Sequence, residues 1–293
     1  MRNNSSVVVT GVSTGIGRAI AQVLVRRGVH VFGSVRSQKD AAAFIAELGQ
    51  GVTPLVFDVT DPKGIAEAAR LVRDRLGGRA LAGLVNNAGI AVFGPLMHIP
   101  LEEFRRQMEV NLVGPLAVTQ AFLPLLGADR ALSGGPGRIV NIGSIGGKVA
   151  TPFLGPYCAS KFAIEGLSES LRRELLLYGI DVIVVGPGAV ATPIWGKAEK
   201  VDTTAYEKTD FAGAMHRFGE YMIRDGMKGL PPERVGEAVW KALSAARPRV
   251  RYSVSSPGVS GWIPRVLPRR VLDRFIGRGM GYTVGRAGSR PTG

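Results

Sequence analysis

The sequence predicts a single-domain α/β fold in which a parallel β-sheet of seven strands carries helices on both faces. Seven short apolar runs, rich in β-branched residues, alternate with helical patterns of ten or more residues. Strands buried on both faces have such continuous apolar runs, and alternation with helices is typical of doubly wound parallel sheets. The predicted strands are Val7–Val9, Val29–Phe32, Thr53–Phe57, Leu81–Val85, Arg138–Ile142, Asp181–Val185 and Val250–Val254. The main predicted helices are Ile16–Arg27, Gly64–Leu76, Leu101–Leu126, Pro156–Tyr178 and Pro232–Ala246.

The composition excludes several classes of protein. With 45% hydrophobic and 20% charged residues, the 293-residue chain can bury a sizeable core. Cys158 is the single cysteine and the three histidines are scattered, which excludes a disulfide framework and a Cys/His zinc cluster, so no metal site is expected. No run approaches the ~18 apolar residues of a membrane span. Met1–Ser6 lacks the apolar core of a signal peptide, and we expect a cytoplasmic protein.

The net charge of +14 is concentrated at one end of the chain. Residues 247–293 contain ten arginines and one acid, Asp273, and therefore hold +9 of the total. Such a charge attracts polyanions and anionic membranes. Because the sequence has no nucleic-acid recognition motif, we expect no nucleic-acid partner and assign the charge to a basic tail.

A glycine-rich turn separates the first predicted strand from the first predicted helix. Its spacing, Gly-x-x-x-Gly-x-Gly, departs from the common Gly-x-Gly-x-x-Gly pattern. Glycines permit close backbone approach, and the following helix N-terminus offers free N–H groups to a diphosphate. A plain connecting turn is the alternative, but the position within a βαβ pattern favours a Rossmann-type dinucleotide site. The residues expected to contact the cofactor there are Gly11, Ser13, Thr14, Gly15, Ile16 and Gly17.

The residues that follow the second strand indicate which dinucleotide binds. Where an acidic residue would hold the adenosine ribose of NAD(H), the chain has Ser34, Val35 and Arg36. An arginine there pairs with a 2′-phosphate, so NADP(H) is favoured over NAD(H). A solvated loop arginine is the alternative. Asp58 and Val59 end the third strand, where a carboxylate can reach the adenine amino group or, alternatively, cap the next helix.

Three residues form a candidate catalytic set. Tyr157 and Lys161 are four apart in a predicted helix and therefore lie on one face. A phenol with a pKa of ~10 is a poor acid–base catalyst at neutral pH, but a neighbouring ammonium stabilises the phenolate. Ser144, just after the fifth strand, is placed to donate a hydrogen bond to a substrate oxygen. Taken singly, each has a structural alternative: a packed tyrosine, a solvated lysine and a turn serine.

In combination, these motifs resemble the short-chain dehydrogenase/reductase family over residues 5–255. The resemblance is carried, in chain order, by Thr10–Gly17, Asp58, Asn86-Asn87-Ala88-Gly89, Asn111, Ser144, Tyr157-x-x-x-Lys161 and Gly186–Thr192. Three residues separate the tyrosine and the lysine, as in the carbonyl-reductase branch, whereas enoyl reductases place more residues between them. Weaker similarity links Val31–Arg36 to NADP-preferring hydroxysteroid and retinol dehydrogenases.

The family implies a role for each matched position. Tyr157 would exchange a proton with the substrate oxygen, Lys161 would lower its pKa and hold the nicotinamide ribose, and Ser144 would orient the substrate. Asn111 would anchor a water that connects Lys161 to solvent. Other implied cofactor contacts are Asp58, Val59, Asn87, Ala88, Gly89, Pro187, Gly188, Val190 and Thr192. A catalytically silent, nucleotide-sensing protein is the alternative, but such proteins usually lose the tyrosine or the lysine.

The remaining segments concern the substrate and partners. Residues 1–255 are expected to form the catalytic domain, with 192–230 as a substrate lid rich in aromatic residues that alternatively only pack the core. Few charges occur among the expected substrate-facing residues, which favours a hydrophobic ketone, aldehyde or alcohol. Residues 256–293 form a basic amphipathic extension. We expect it to dock on the body or on a second subunit of a homodimer or homotetramer; contact with a membrane surface is the less favoured alternative.

Overall fold

The computed structural model describes residues 5–193, 204–255 and 268–281. Seven parallel strands form one sheet in the order β3-β2-β1-β4-β5-β6-β7, which confirms the predicted fold class. The order reverses between β1 and β4, so a crevice opens there at the carboxyl ends of the strands. The strands are β1 Ser6–Val9, β2 His30–Val35, β3 Val52–Val56, β4 Gly83–Asn86, β5 Arg138–Ile142, β6 Asp181–Pro187 and β7 Arg251–Val254.

Helices cover both faces of the sheet. On one face α1, α2 and α8 pack on a core that includes Ile20, Phe44 and Val239; on the other, α3 and α5 pack around Ile65 and Phe122. The helices are α1 Gly15–Arg26, α2 Gln38–Leu48, α3 Pro62–Leu76, α4 Leu101–Met108, α5 Gly114–Phe122, α6 Gly155–Glu174, α7 Ala212–Met227, α8 Glu233–Ser244 and α9 Arg269–Gly279.

The second strand is longer than predicted. It continues through Ser34 and Val35, which pair with Leu55 and Val56 of β3. Ser34 is buried inside the sheet, and its hydroxyl oxygen accepts a hydrogen bond from the Gly11 amide at 2.9 Å. The hydrogen-bonding capacity of this buried polar side chain is therefore satisfied by a residue distant in sequence.

The predicted helix Leu101–Leu126 is interrupted by a π-helical turn at Glu109–Val113, and its last turn, Leu123–Leu126, is 3₁₀. Pro115 has no N–H to donate to the Asn111 carbonyl four residues earlier, which explains the local widening. An 18-residue window of this helical run has a mean hydropathy of 1.3, and the run is long enough to cross a membrane, contrary to the sequence-based expectation. In the structure it is a core element, because α5 buries Val118 and Phe122 against the sheet.

The C-terminal extension contributes a helix to the described structure. Leu272 of α9 is buried, and Met280 joins an apolar cluster with Phe211 and Phe218. Arg217 of α7 donates to the Met280 carbonyl at 2.8 Å. One face of this helix therefore packs on the body. The predicted tail segments 256–267 and 282–293 lie outside the described residues.

Candidate functional site

The turn between β1 and α1 is a cradle made of backbone. Gly11 and Gly15 have φ of +71° and +59°, in the left-handed region that favours glycine. A Cβ on Gly17 would lie 2.1 Å from the Gly11 carbonyl oxygen and 2.4 Å from Asn87 Nδ2. Thr14, the N-cap of α1, makes no side-chain capping bond within the described chain, so amide N–H groups of the first turn stay available. The cradle fits a diphosphate.

Arg18 braces this cradle, a role that the sequence reasoning missed. Its guanidinium donates to the carbonyl oxygens of Val12 at 2.8 Å and Ser13 at 3.1 Å, and it pairs with Glu47 at 2.9 Å. With these carbonyls turned toward Arg18, the loop can direct its N–H groups outward. Ser13, Thr14 and Ile16, predicted from the motif, all lie on this braced turn.

The residues after β4 lie against the same turn. Asn87 Nδ2 donates to the carbonyl oxygens of Thr10 at 2.8 Å and Gly11 at 3.1 Å, and the Asn87 and Ala88 amides donate to Thr10 Oγ1. A Cβ on Gly89 would lie 3.2 Å from Asn111 Oδ1. The structure thus brings together β1 and β4 at the point where the strand order reverses.

Arg36 is exposed immediately after β2, beside the crevice. Val35 before it is only 2% exposed, and its side chain belongs to the core. Arg36 is therefore the one member of the Ser34-Val35-Arg36 set whose side chain is free to meet a ligand from solvent.

The expectation for Asp58 as a helix cap is wrong. The residue whose side chain caps α3 is Asp61. Asp58 Oδ1 instead accepts hydrogen bonds from the amide and the hydroxyl of Thr60, at 3.0 and 2.8 Å. Asp58 therefore shapes the turn after β3. The Val59 side chain is buried beside Gly114, which leaves only its backbone to face a ligand.

Ser144, Tyr157 and Lys161 meet at the carboxyl end of β5. Ser144 begins a short 3₁₀ turn, where its Oγ accepts the Gly146 amide at 3.0 Å and keeps its hydroxyl hydrogen for another acceptor. The Lys161 ammonium is 5.7 Å from the Tyr157 ring centroid and donates to the Ile142 carbonyl at 2.8 Å. The spacing of four residues on α6 places tyrosine and lysine on one face, as predicted.

Burial dominates the electrostatics of this group. It raises the pKa of Tyr157, while a hydrogen bond with Ser144 acts in the opposite direction. Burial lowers the pKa of Lys161 to about 8. A lysine with this pKa remains mostly protonated at neutral pH and carries a positive charge in a region where ionisation is costly.

Asn111 lies on the π-helical turn and is almost fully buried. Its side chain exchanges hydrogen bonds with the Ile90 amide and carbonyl at 2.9 and 3.0 Å and donates to Ser160 Oγ at 3.2 Å. Gln107, one turn earlier and unpredicted, holds the Ile90 carbonyl and the Val92 amide. Both side chains fix the loop after β4 next to α6.

An ion network lies behind Ser144. Arg251 of β7 donates to Glu165 at 2.9 Å and to the Ser144 carbonyl at 3.3 Å, and Lys148 pairs with Glu165 at 3.0 Å. Only 12% of the Glu165 side chain is exposed. Gly186 leaves the room for this contact, because a Cβ there would lie 2.2 Å from an Arg251 nitrogen. The network joins both ends of the Ser144 turn to α6.

The loop after β6 closes the crevice from the other side. Gly188 donates to the Val254 carbonyl at 2.8 Å, and the buried Val190 forms a bridge with Leu230. Thr192 Cβ lies 3.4 Å from the position of a Cβ on Gly15, so this loop meets the β1–α1 cradle. Pro187 ends β6 and is buried.

A cavity of about 480 Å³ opens next to the start of α6. Its lining is mainly apolar and comes from the loops at 95–97 and 150–155, from Phe211 and from α9. Phe153 packs edge to face with Phe211 and with Phe218, in a cluster that includes Tyr157. Phe153 has φ +62°, a strained conformation for a residue with a side chain. Of the predicted lid aromatics, Trp195 lies outside the described residues.

A comparison with protein families matches residues 5–202 to the model described as short chain dehydrogenase. The chain is 39% identical over 270 residues to NADPH-dependent 3-dehydrocapnine reductase of Ornithobacterium rhinotracheale, covering 92% of this chain and 95% of the relative. It is 33% identical over 287 residues to human retinol dehydrogenase 5, covering 94% and 88% of the two chains.

Solved structures give the same picture. A short-chain dehydrogenase from Streptomyces avermitilis superposes with a TM-score of 0.72 at 28% identity, over 95% of both chains. A short-chain dehydrogenase/reductase from Burkholderia phymatum, solved in complex with NAD, superposes with a TM-score of 0.77 over 94% of this chain and 97% of that one. At 21% identity, the second likeness concerns the fold alone.

Proposed function

The chain belongs to the short-chain dehydrogenase family, and we propose that it is an NADP(H)-dependent oxidoreductase that interconverts a hydrophobic ketone or aldehyde and its alcohol. The observation that carries the proposal is the convergence of Ser144, Tyr157 and Lys161 at the carboxyl end of β5. None of the three lines the apolar cavity, but Tyr157 packs in one cluster with Phe153 and Phe211, which do. Relatives named as an NADPH-dependent reductase and as a retinol dehydrogenase support this chemistry.

The β1–α1 cradle would hold the diphosphate of the cofactor, and Arg36 would pair with the 2′-phosphate of NADP(H). Asn87, Ala88 and Gly89 would face its adenosine side, and Pro187, Gly188, Val190 and Thr192 its nicotinamide side. The cofactor, when bound, supplies the hydride that reduces the carbonyl carbon. A Cβ at Gly17 would clash with the Gly11 carbonyl and Asn87, so this glycine lets the turn pack tightly at the helix N-terminus, which fits such a ligand.

The proton transfer falls to the chain's own residues. Ser144 donates to the carbonyl oxygen, which polarises the C=O bond and holds it next to the Tyr157 hydroxyl. Tyr157 gives its proton to that oxygen as negative charge develops there, and the Lys161 ammonium stabilises the resulting phenolate. In the oxidative direction the phenolate accepts the alcohol proton. Asn111 and Gln107 keep the neighbouring loop in place.

The direct experiment follows nicotinamide absorbance with NADPH and with NADH over a panel of carbonyl compounds. Pairs of compounds should differ only in carrying a methyl or a carboxylate at the end of the same chain. We expect turnover with NADPH and with the uncharged member of each pair, because the cavity lining is mainly apolar. NADPH binding without turnover of any panel member would favour the silent, nucleotide-sensing alternative instead.

A further inference from the structure

The C-terminal helix α9 has two different faces. Leu272 is 6% exposed and packs on the body, and Ile276, one turn later, lines the cavity. About 100° around the helix from these two residues, Val271 is 47% exposed and Phe275 is 75% exposed. Residues four apart share a helix face, so these two apolar side chains form a stripe that points away from the protein. Within the residues that the structure describes, packing of α9 on the body therefore leaves a second apolar surface uncovered.

Further exposed apolar side chains line the same cavity. Leu96 and Met97 line the cavity together with Ile276 and are 63% and 79% exposed. Single exposed apolar residues are ordinary, but several around one opening mark an interaction surface. We call the combined surface the rim face and define it as Leu96, Met97, Val271, Arg274, Phe275 and Arg278.

The charge of α9 indicates what the rim face contacts. The helix has four arginines and one aspartate, and Arg274 and Arg278 are exposed three and seven residues after the exposed Val271, on the same side. A two-fold contact with a second copy would bring this positively charged patch together with an identical one, which is unfavourable. A surface of anionic headgroups over an apolar interior matches both the arginines and the apolar side chains.

We propose that the rim face binds an anionic phospholipid surface, with Phe275 and Met97 inserted at the headgroup boundary and Arg274 and Arg278 paired with phosphates. The cavity mouth would then face the lipid. This proposal concerns the surface alone and holds whether or not the cavity binds a hydrophobic carbonyl compound.

Cosedimentation of the full chain with vesicles tests the proposal. We expect binding to phosphatidylcholine vesicles that contain phosphatidylglycerol, weak binding to pure phosphatidylcholine, and loss of binding as salt is raised. Phe275→Ser should weaken binding about tenfold or more, since burying an aromatic side chain is worth at least ~1.5 kcal/mol. Arg274→Glu should weaken binding only to the anionic vesicles.

The matched control is Leu176→Ser with Leu177→Ser, which removes apolar side chains that are 75% and 70% exposed. They follow α6, whose twenty residues span about 30 Å from the cavity wall at Gly155. The control should bind vesicles like the unmodified protein, and every variant should keep its melting temperature.

Three results would overturn the proposal. The first is no vesicle binding at any salt concentration, and the second is equal weakening by the control and by Phe275→Ser. The third is dissociation of an oligomer by Phe275→Ser without any change in vesicle binding, which would assign the rim face to a second copy. If the first result is accompanied by binding to heparin, the ligand of the rim face is a soluble polyanion and not a lipid.

Discussion

Replacing Lys161 by methionine should stabilise the fold while removing its chemistry. Burial lowers the pKa of Lys161 from 10.5 to about 8, and each unit corresponds to ~1.4 kcal/mol, so the charged lysine costs about 3 kcal/mol of folding free energy at pH 7. Methionine has a similar length and no charge. It also loses the hydrogen bond to the Ile142 carbonyl, worth ~1 kcal/mol. The expected net stabilisation at pH 7 is about 2 kcal/mol.

The pH dependence gives the more specific signature. Below pH 8 Lys161 is protonated in both the folded and the unfolded chain, so burial of its charge reduces the free energy of unfolding by the full amount. As pH rises from 8 to 10.5, the folded protein loses this proton before the unfolded chain does, so the cost fades. Relative to Lys161→Met, the unmodified protein should therefore gain about 2 kcal/mol between pH 7 and pH 10.

Urea unfolding of both proteins without cofactor, at several pH values, measures this difference. The exposed Lys39→Met is the matched control, and its free energy of unfolding should follow that of the unmodified protein at every pH. Lys161→Met should at the same time lose ~10²-fold or more in kcat. A stability difference that is the same at pH 7 and pH 10 would refute the argument that burial of a charged Lys161 opposes folding.

Three further substitutions test separate parts of the site. Arg36→Ala should raise KM for NADPH by about tenfold or more and leave KM for NADH unchanged, since a charge-assisted hydrogen bond is worth ~1.5–3 kcal/mol; equal effects on both would exclude the pairing with the 2′-phosphate. Ser144→Ala should lower kcat by an amount equivalent to about 2.7–4 kcal/mol without changing the Kd for NADPH, measured by fluorescence titration. Arg251→Met should lower kcat more than it changes KM, with partial recovery in Arg251→Lys; a lower melting temperature with unchanged kcat would give Arg251 a structural role only.

Most of the fold was predictable because its strands are buried on both faces. Continuous β-branched runs mark such strands without reference to any neighbour, and all seven predicted runs form strands of the sheet. The predicted second strand ended at Phe32, whereas β2 continues to Val35; the buried Ser34 within it is satisfied by the amide of Gly11, 23 residues away, which the local sequence does not indicate. The π-helical turn was encoded by Pro115 but does not show in hydrophobic periodicity.

In the candidate site, the predictable residues are those whose relation is local. Tyr157 and Lys161 share one helix face, and the glycine cradle is one continuous segment. Arg251 donates to the Ser144 carbonyl although the two residues are 107 positions apart in the sequence. Nothing in the sequence around either residue predicts this contact. The role of Arg18 was not predicted for another reason: the residue lies on an amphipathic helix, where an arginine normally indicates a solvated face. Contacts of this kind depend on the tertiary structure.

The most direct test of the central claim is Tyr157→Phe, assayed for turnover and for cofactor binding on the same preparation. The phenol hydroxyl is proposed to transfer the proton, whereas the ring packs in the cluster around Phe153 and Phe218. We therefore predict kcat well below a tenth of the unmodified value, with Kd for NADPH and melting temperature nearly unchanged. A tenfold loss is only ~1.4 kcal/mol, so a variant that keeps more than about a tenth of kcat would contradict the assignment of Tyr157 as the proton donor.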